Sequence, residues 1–330
     1  MDKRVIITVP ERPDIFQADI MDDLKSCAEV VHNDLDRPYT TEEIAEKAVD
    51  CDAIITSWGS AAIDMSVINA APRVKIIAHA AGSIKHLFPE QIFDSGVTIT
   101  NSASVMATYV GEFALTLTLA MLRTLPRYAY GAPAEAWDDI PCAGNETLFG
   151  KTVGIIGLSH TGRAFLRLLP PFGCNVIAYD PYISRSAAEE LGVKLVSLEQ
   201  LLAESKVISL HAPVTEETKG MLDADKLKLI PAGAVFVNTA RGVLIDHDAL
   251  AKELATGRFK AALDVTWPEP LPSDHALRQL PNVIIPSHIA GPTTDGRRDM
   301  FRCVVDDLKL FWDGKTPKNL ITKQMLRTMA

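Results

Sequence analysis

Three short islands bring an arginine, a carboxylate and a histidine into one stretch of the chain: Thr-Ala-Arg-Gly at 239–242, Pro-Glu-Pro at 268–270 and Ser-His-Ile-Ala-Gly at 287–291. A guanidinium can fork onto a carboxylate, so Arg241 reads as a clamp for a small anion. A carboxylate beside an imidazole favours the charged ring and fixes its orientation. Glu269 lies between Pro268 and Pro270, where few backbone conformations remain, and is the partner expected for His288. The pair can then give and take a proton near neutral pH. His79 and His211 also end apolar runs, but no carboxylate stands near them in sequence, and both read as supporting residues.

Each island follows an apolar run with strand character: Ala234 to Asn238, Lys260 to Val265, and Asn282 to Pro286. In an open parallel sheet, ligands bind just beyond the carboxyl ends of the strands. Three such ends can therefore converge on one small molecule. Upstream, Gly154-Ile-Ile-Gly157-Leu-Ser159-His160-Thr161-Gly162 follows a strand and opens a helix. It is a gapped form of the dinucleotide fingerprint, with Gly157 making the tight turn and Gly162 allowing close helix–strand packing. Ser159 stands where a second glycine is preferred; its hydroxyl can donate to a phosphate oxygen at the helix N-terminus. Asp180 ends the next strand, 18 residues after Gly162. A carboxylate there accepts from ribose hydroxyls and repels a 2′-phosphate, so the expected cofactor is NAD (NADH) rather than its phosphorylated form. A dinucleotide beside an anion clamp and a proton donor implies hydride transfer to or from a small anionic substrate.

The elements that must position these residues alternate along the chain. Strands are predicted at Arg4–Val9, Ala53–Ser57, Val74–His79, Val97–Thr100, Thr152–Gly157, Asn175–Tyr179, Val207–Leu210, Val235–Asn238, Lys260–Val265 and Val283–Ile285. Helical spacing runs over Asp14–Ala28, Thr41–Ala48, Ala107–Leu125 and Arg297–Trp312. The result is an α/β chain with two doubly wound parallel sheets covered on both faces. The expected domains are 1–101 plus 296–330, a discontinuous domain completed by the last helix, and 102–295, which carries the nucleotide motif. The apolar helix from Ala107 is expected to be buried between domains or subunits. With Tyr128, Tyr130 and Trp137 in the segment 127–137, it suggests a homodimer.

Bulk composition narrows the classes of partner. The 330 residues carry a formal net charge of −9, which disfavours nucleic acid. No apolar stretch is expected to reach the roughly 20 residues of a membrane span, and the start has no signal-peptide character. Five scattered cysteines without paired spacing fit reduced thiols in a cytoplasmic protein, with no metal site.

Taken in order, these islands resemble the D-isomer-specific 2-hydroxyacid dehydrogenase family. The resemblance covers most of the chain and is strongest from 150 to 295. It is carried by the Gly154…Gly162 turn, Leu210-His-Ala-Pro-Val-Thr, Val237-Asn-Thr-Ala-Arg-Gly-Val-Leu-Ile-Asp246, Ala262-Leu-Asp-Val, Glu269-Pro-Leu-Pro and His288-Ile-Ala-Gly-Pro-Thr. It implies that Arg241 holds the substrate carboxylate and carbonyl, with His288 as acid/base supported by Glu269. It places Asp264 near the nicotinamide amide, with Thr239, Ala240, Ala212 and the 159–162 turn along the cofactor. The substrate is then a 2-keto or 2-hydroxy acid. The first domain is expected to be flavodoxin-like and the second a Rossmann domain, closing over a cleft between them.

Two departures stand out. One is Ser159. The other is the substrate loop, which in the family usually reads Arg-x-Gly-x-Gly-x-Asp-Asn, with backbone amides on the substrate carboxylate. Here it is His79-Ala-Ala81-Gly82-Ser83-Ile-Lys85-His86. Either Ala81, Gly82 and Ser83 still present their amides, or Lys85 adds a positive charge suited to a second anionic group. Two rivals stay open: an NADH-sensing regulator on this fold, and a formate dehydrogenase, a group that generally carries glutamine where Glu269 stands. The chain ends soon after the last helix, without the extra regulatory domain of some phosphoglycerate dehydrogenases, which weighs against a role in serine biosynthesis.

Overall fold

A computed structural model describes residues 3–128 and 144–327, with 329; the side chains of segment 127–137 lie outside the described residues. The chain forms two compact units, Met1–Met106 with Pro292–Ala330, and Ala107–Gly291. The sequence pattern set the divisions at 101/102 and 295/296.

The first unit holds β1 (Arg4–Pro10), β2 (Glu29–Asn33), β3 (Ala53–Thr56), β4 (Ile76–His79), β5 (Thr98–Asn101) and β13 (Leu320–Ile321), in the order β13-β5-β4-β3-β1-β2. Apart from β13 this is the flavodoxin-like strand order. Both faces of β1 are sealed. Val5, Ile7 and Val9 pack with Ile20 and Leu24 of α1 (Ala18–Cys27) and with Phe301, Val304 and Leu308 of α10 (Thr294–Trp312). Ile6, on the other face, packs with Ile44 of α2 (Thr41–Lys47) and Val67 of α3 (Met65–Ala70). Burial on both sides is why these strands read as unbroken apolar runs.

Three strands escape the apolar pattern. β2 is half-exposed along most of its length, while β13 and β8 (Lys194–Leu195) have two residues each, too few to show a period. The last helix is therefore followed by a strand of its own, and β13 pairs antiparallel with β5 in an otherwise parallel sheet. The first helix begins at Ala18, not Asp14, because residues 12–16 form a turn in which Asp14 is taken by Arg12 and Arg297.

The second unit carries β6 (Thr152–Ile156), β7 (Asn175–Tyr179), β8, β9 (Val207–Leu210), β10 (Val235–Asn238), β11 (Lys260–Leu263) and β12 (Val283–Ile284). Their order, β12-β11-β10-β9-β6-β7-β8, is that of the Rossmann fold extended by a seventh strand, all parallel. Its switch point lies between β6 and β9. α4 (Ala103–Leu122) is long and apolar enough, by length and composition, to cross a bilayer, which corrects the expectation of no such stretch. In the structure one face of it is packed: Ala114, Leu117 and Met121 lie against Val153, Ile155 and Phe165. Gly111 fits so closely against Ala164 and Phe165 that a Cβ would stand 2.8 Å from Phe165 N.

Candidate active site

The carboxyl ends of β6, β9, β10, β11 and β12 bring most of the singled-out residues to one edge of the larger sheet. Gly157 follows β6 with φ +93, and a Cβ there would lie 2.8 Å from Ala212 N, so only glycine lets this turn meet the residue after His211. A Cβ on Gly162 would meet Gly157 O at 2.0 Å. These contacts give both fingerprint glycines a physical reason.

α5 (His160–Leu168) starts at Ser159, whose side chain makes no capping hydrogen bond, while Ser159 O accepts from Arg163 N at 3.0 Å. The amides of His160, Thr161 and Gly162 are thus the open first-turn donors of the helix, joined by the Ser159 hydroxyl. That donor set suits a pyrophosphate. Asp180 accepts from Leu158 N at 2.8 Å and Tyr182 N at 2.9 Å, which orients its carboxylate at the end of β7 and leaves lone pairs for a diol. The residues present fit a dinucleotide.

Arg241 follows β10 by three residues. Asn238, fully buried, shapes that turn: its side chain accepts from Ala240 N at 2.9 Å and donates to Arg241 O at 3.1 Å. Asparagine after a strand is a turn former, a signal that sequence reasoning passed over. The Arg241 guanidinium donates from Nη1 to Ala240 O at 2.6 Å. Burial lowers its pKa from the ordinary value, and the charge on Glu269 opposes that shift. An arginine remains charged at neutral pH under such a shift.

Glu269 and His288 meet. His288 Nδ1 donates to Glu269 Oε1 at 2.9 Å, with both side chains partly exposed. His288 has the left-handed backbone angle φ 54, sparsely populated for a side chain of this size. Asp264 holds that conformation from three sides: its carbonyl accepts from His288 N at 2.9 Å, Oδ1 from Ile289 N at 2.9 Å and Oδ2 from Ala290 N at 3.1 Å. Burial pushes the Asp264 carboxyl up, and the two amides pull it down. This bracing of the histidine loop spans more than twenty residues and has no local signature in sequence.

Thr239 and Ala240 are buried beside the β9 end, where Thr239 Oγ1 stands 3.5 Å from His211 Nδ1. His211 Nε2 is 2.8 Å from Ser209 Oγ, and burial pushes its pKa down to about 3.

Ala81, Gly82 and Ser83 belong to the other unit. There His79, also sealed and pushed down to about 3 by burial, pairs Nδ1 with Thr56 Oγ1 at 2.9 Å and is bonded by the Ser83 backbone. The loop carbonyls are engaged from within: His79 O and Ala81 O by Ser102 N, Ala80 O by Ser57 Oγ, and Gly82 O by Asn101 Nδ2 at 2.6 Å. Among the hydrogen bonds of the described residues, none uses the amides of Ala81, Gly82 or Ser83. Lys85 and His86 are exposed.

A Rossmann sheet whose edge combines an open pyrophosphate cradle with a histidine–glutamate pair defines a nicotinamide-dependent oxidoreductase. Comparison with known proteins narrows the class. The family model for D-isomer specific 2-hydroxyacid dehydrogenase, NAD binding domain, matches residues 115–290. A glyoxylate reductase of Korarchaeum cryptofilum is 32% identical over 99% of this chain and 98% of its own length. A D-3-phosphoglycerate dehydrogenase of Methanocaldococcus jannaschii is 32% identical over 91% of this chain and 57% of that longer protein. The solved structure of a phosphoglycerate oxidoreductase from Rhizobium etli superposes with a TM-score of 0.83 at 25% identity, covering 99% of this chain and all of the other. The chain belongs to the D-isomer-specific 2-hydroxyacid dehydrogenase family, and its larger unit contains the NAD-binding domain.

Proposed function

We propose that the protein is an NADH-dependent 2-ketoacid reductase, running reversibly as a D-2-hydroxyacid dehydrogenase on a small 2-keto or 2-hydroxy acid. The observation that carries this reading is the 2.9 Å bond from His288 Nδ1 to Glu269, with Arg241 within electrostatic reach of the same glutamate. Glu269 occupies Nδ1, which leaves Nε2 as the ring position that faces substrate. In reduction His288 gives its Nε2 proton to the carbonyl oxygen; in oxidation the neutral ring takes it back. Arg241 spends one N–H on Ala240 O and keeps the others for the substrate's carboxylate and carbonyl, neutralising the first and polarising the second. In this reading the amides of Ala81, Gly82 and Ser83 are further donors proposed for the carboxylate, supported by their taking no part in the hydrogen bonds of the described residues. When bound, the reduced nicotinamide supplies the hydride to C2. The donors of residues 159–162 and the Asp180 carboxylate hold the dinucleotide, with Thr239, Ala240, Ala212 and Asp264 along it.

A cytoplasmic setting, supported by four free thiols among the described residues, and a homodimer complete the proposal. The test is turnover of glyoxylate, hydroxypyruvate, pyruvate, phenylpyruvate and 3-phosphohydroxypyruvate with NADH and NADPH. His288→Ala and Arg241→Ala are each expected to lower kcat/KM by at least about a hundredfold. Near-normal turnover in either variant refutes the assignment.

A further inference from the structure

The peptide joining Thr266 to Trp267 is a junction that the chemistry above does not use. A Cβ built on Gly242 would lie 2.0 Å from Thr266 C and 2.6 Å from Trp267 N. The backbone immediately after Arg241 is therefore pressed flat against this peptide, two residues before Glu269. Pro268 and Pro270 have no N–H, so only Trp267 and Glu269 offer backbone donors in the run 267–270. The Trp267 N–H is taken by His247 Nε2 at 3.3 Å, and Thr266 Oγ1 donates to Pro268 O at 2.9 Å.

His247 is only 6% exposed. Its Nδ1 lies 3.1 Å from Ile245 O, an atom that can only accept. Nδ1 must therefore carry the hydrogen, and Nε2 presents a lone pair to Trp267. A neutral ring in this single tautomer satisfies both neighbours; a protonated ring would set N–H against N–H. Burial keeps the pKa of the ring below its ordinary value. His275 pushes the same way, while Ile245 O, Asp246 and Asp248 pull it back up.

We propose that His247 is a positioning residue: by holding the Thr266–Trp267 peptide against Gly242, it fixes the placement of Glu269 relative to Arg241, and through Glu269 the aim of His288. The inference rests on the roles given above to Arg241, Glu269 and His288. Its physical basis is that, in a run poor in donors, the Trp267 N–H is held by a buried side chain from the helix after Arg241.

Two substitutions separate the hydrogen bond from packing. His247→Gln keeps an acceptor within reach of Trp267, whereas His247→Leu fills the space without one. With glyoxylate and NADH, or whichever keto acid the wild type reduces, the leucine variant is expected to lose about tenfold in kcat at nearly unchanged NADH affinity. The glutamine variant should stay within about threefold of wild type. In a Glu269→Gln background the leucine change should add no further loss, since coupled residues are non-additive. Amide hydrogen exchange at Trp267 is read on the same proteins whether or not they turn over. It should quicken about tenfold in the leucine variant and not in the glutamine variant. Unchanged exchange at Trp267, equal losses in both variants, or a fully additive loss with Glu269→Gln overturns the proposal. A wild type that binds NADH but reduces no keto acid overturns the proposed function instead, and the exchange result still decides the role of His247.

Discussion

His79 and His288 both stand at the carboxyl edge of a parallel sheet, one in each unit, yet their surroundings are opposite. His288 is 46% exposed in its side chain, bonded to a carboxylate and held in a left-handed turn. His79 is sealed, bonded to a hydroxyl and to backbone, with its pKa driven down to about 3 by burial. The first is open to a bound molecule and backed by a carboxylate; the second serves as a neutral post that pins the loop after it. The contrast extends to their loops. In the proposed reading, side-chain charge recognises the anion around His288, whereas around His79 the donors are backbone amides. Backbone donors tolerate side-chain replacement, so the residues of the loop 79–86 can vary while their amides keep their place.

Three measurements press on this contrast. The largest effect is expected at the brace of the exposed histidine. Asp264→Asn keeps one acceptor but turns an NH2 toward Ile289 N or Ala290 N, so the left-handed turn at His288 loses support. A fall in kcat/KM of about tenfold or more, carried mainly by kcat, is expected; steady-state kinetics at wild-type values would show that the carbonyl of Asp264 alone holds the loop.

Next comes the sealed side of the comparison, read as stability against pH. An unfolded chain protonates His79 and His211 near the ordinary value of 6.5, but the native chain resists until about 3. Stability from these rings is therefore complete above pH 6.5. It is lost as pH falls toward 3, at about 1.4 kcal/mol per pH unit for each ring. Thermal melts should be level from pH 8 to 7 and decline between 6.5 and 5, where few carboxylates titrate; a level Tm down to pH 5 would contradict the burial argument.

The smallest effect is expected in the amide loop itself. A Cβ on Gly82 meets only the flexible end of Met106, at 2.2 Å from Cε, which can move aside. Gly82→Ala should leave kcat/KM within about threefold of wild type. A hundredfold loss would mean that the loop reads its substrate through tight side-chain space and not through its amides.

Much of the frame was legible in the chain. β7, β9 and β10 coincide with apolar runs bounded by turn residues, and the capping box at Thr40 and Glu43 marks the start of α2. Strand-end motifs also mark Glu269 and His288. What escaped was either too short or too polar to show a period, as with β2, β8 and β13, or depended on partners far apart in sequence. The hold of Asp264 on residues 288–290, the contact of His247 with Trp267 and the pressing of Gly242 on Thr266 are of that second kind.

Periodicity, turn formers and caps act within a few residues, so the residue string alone was enough for two wound sheets, a dinucleotide turn and the residue types at the strand ends. Which donor meets which acceptor across twenty residues or more depends on how the sheet brings its loops together. The tautomer of a buried histidine, the brace on a strained turn and the direction of a carboxylate were settled in folding, because desolvated hydrogen bonds are satisfied by whatever the packed neighbours present.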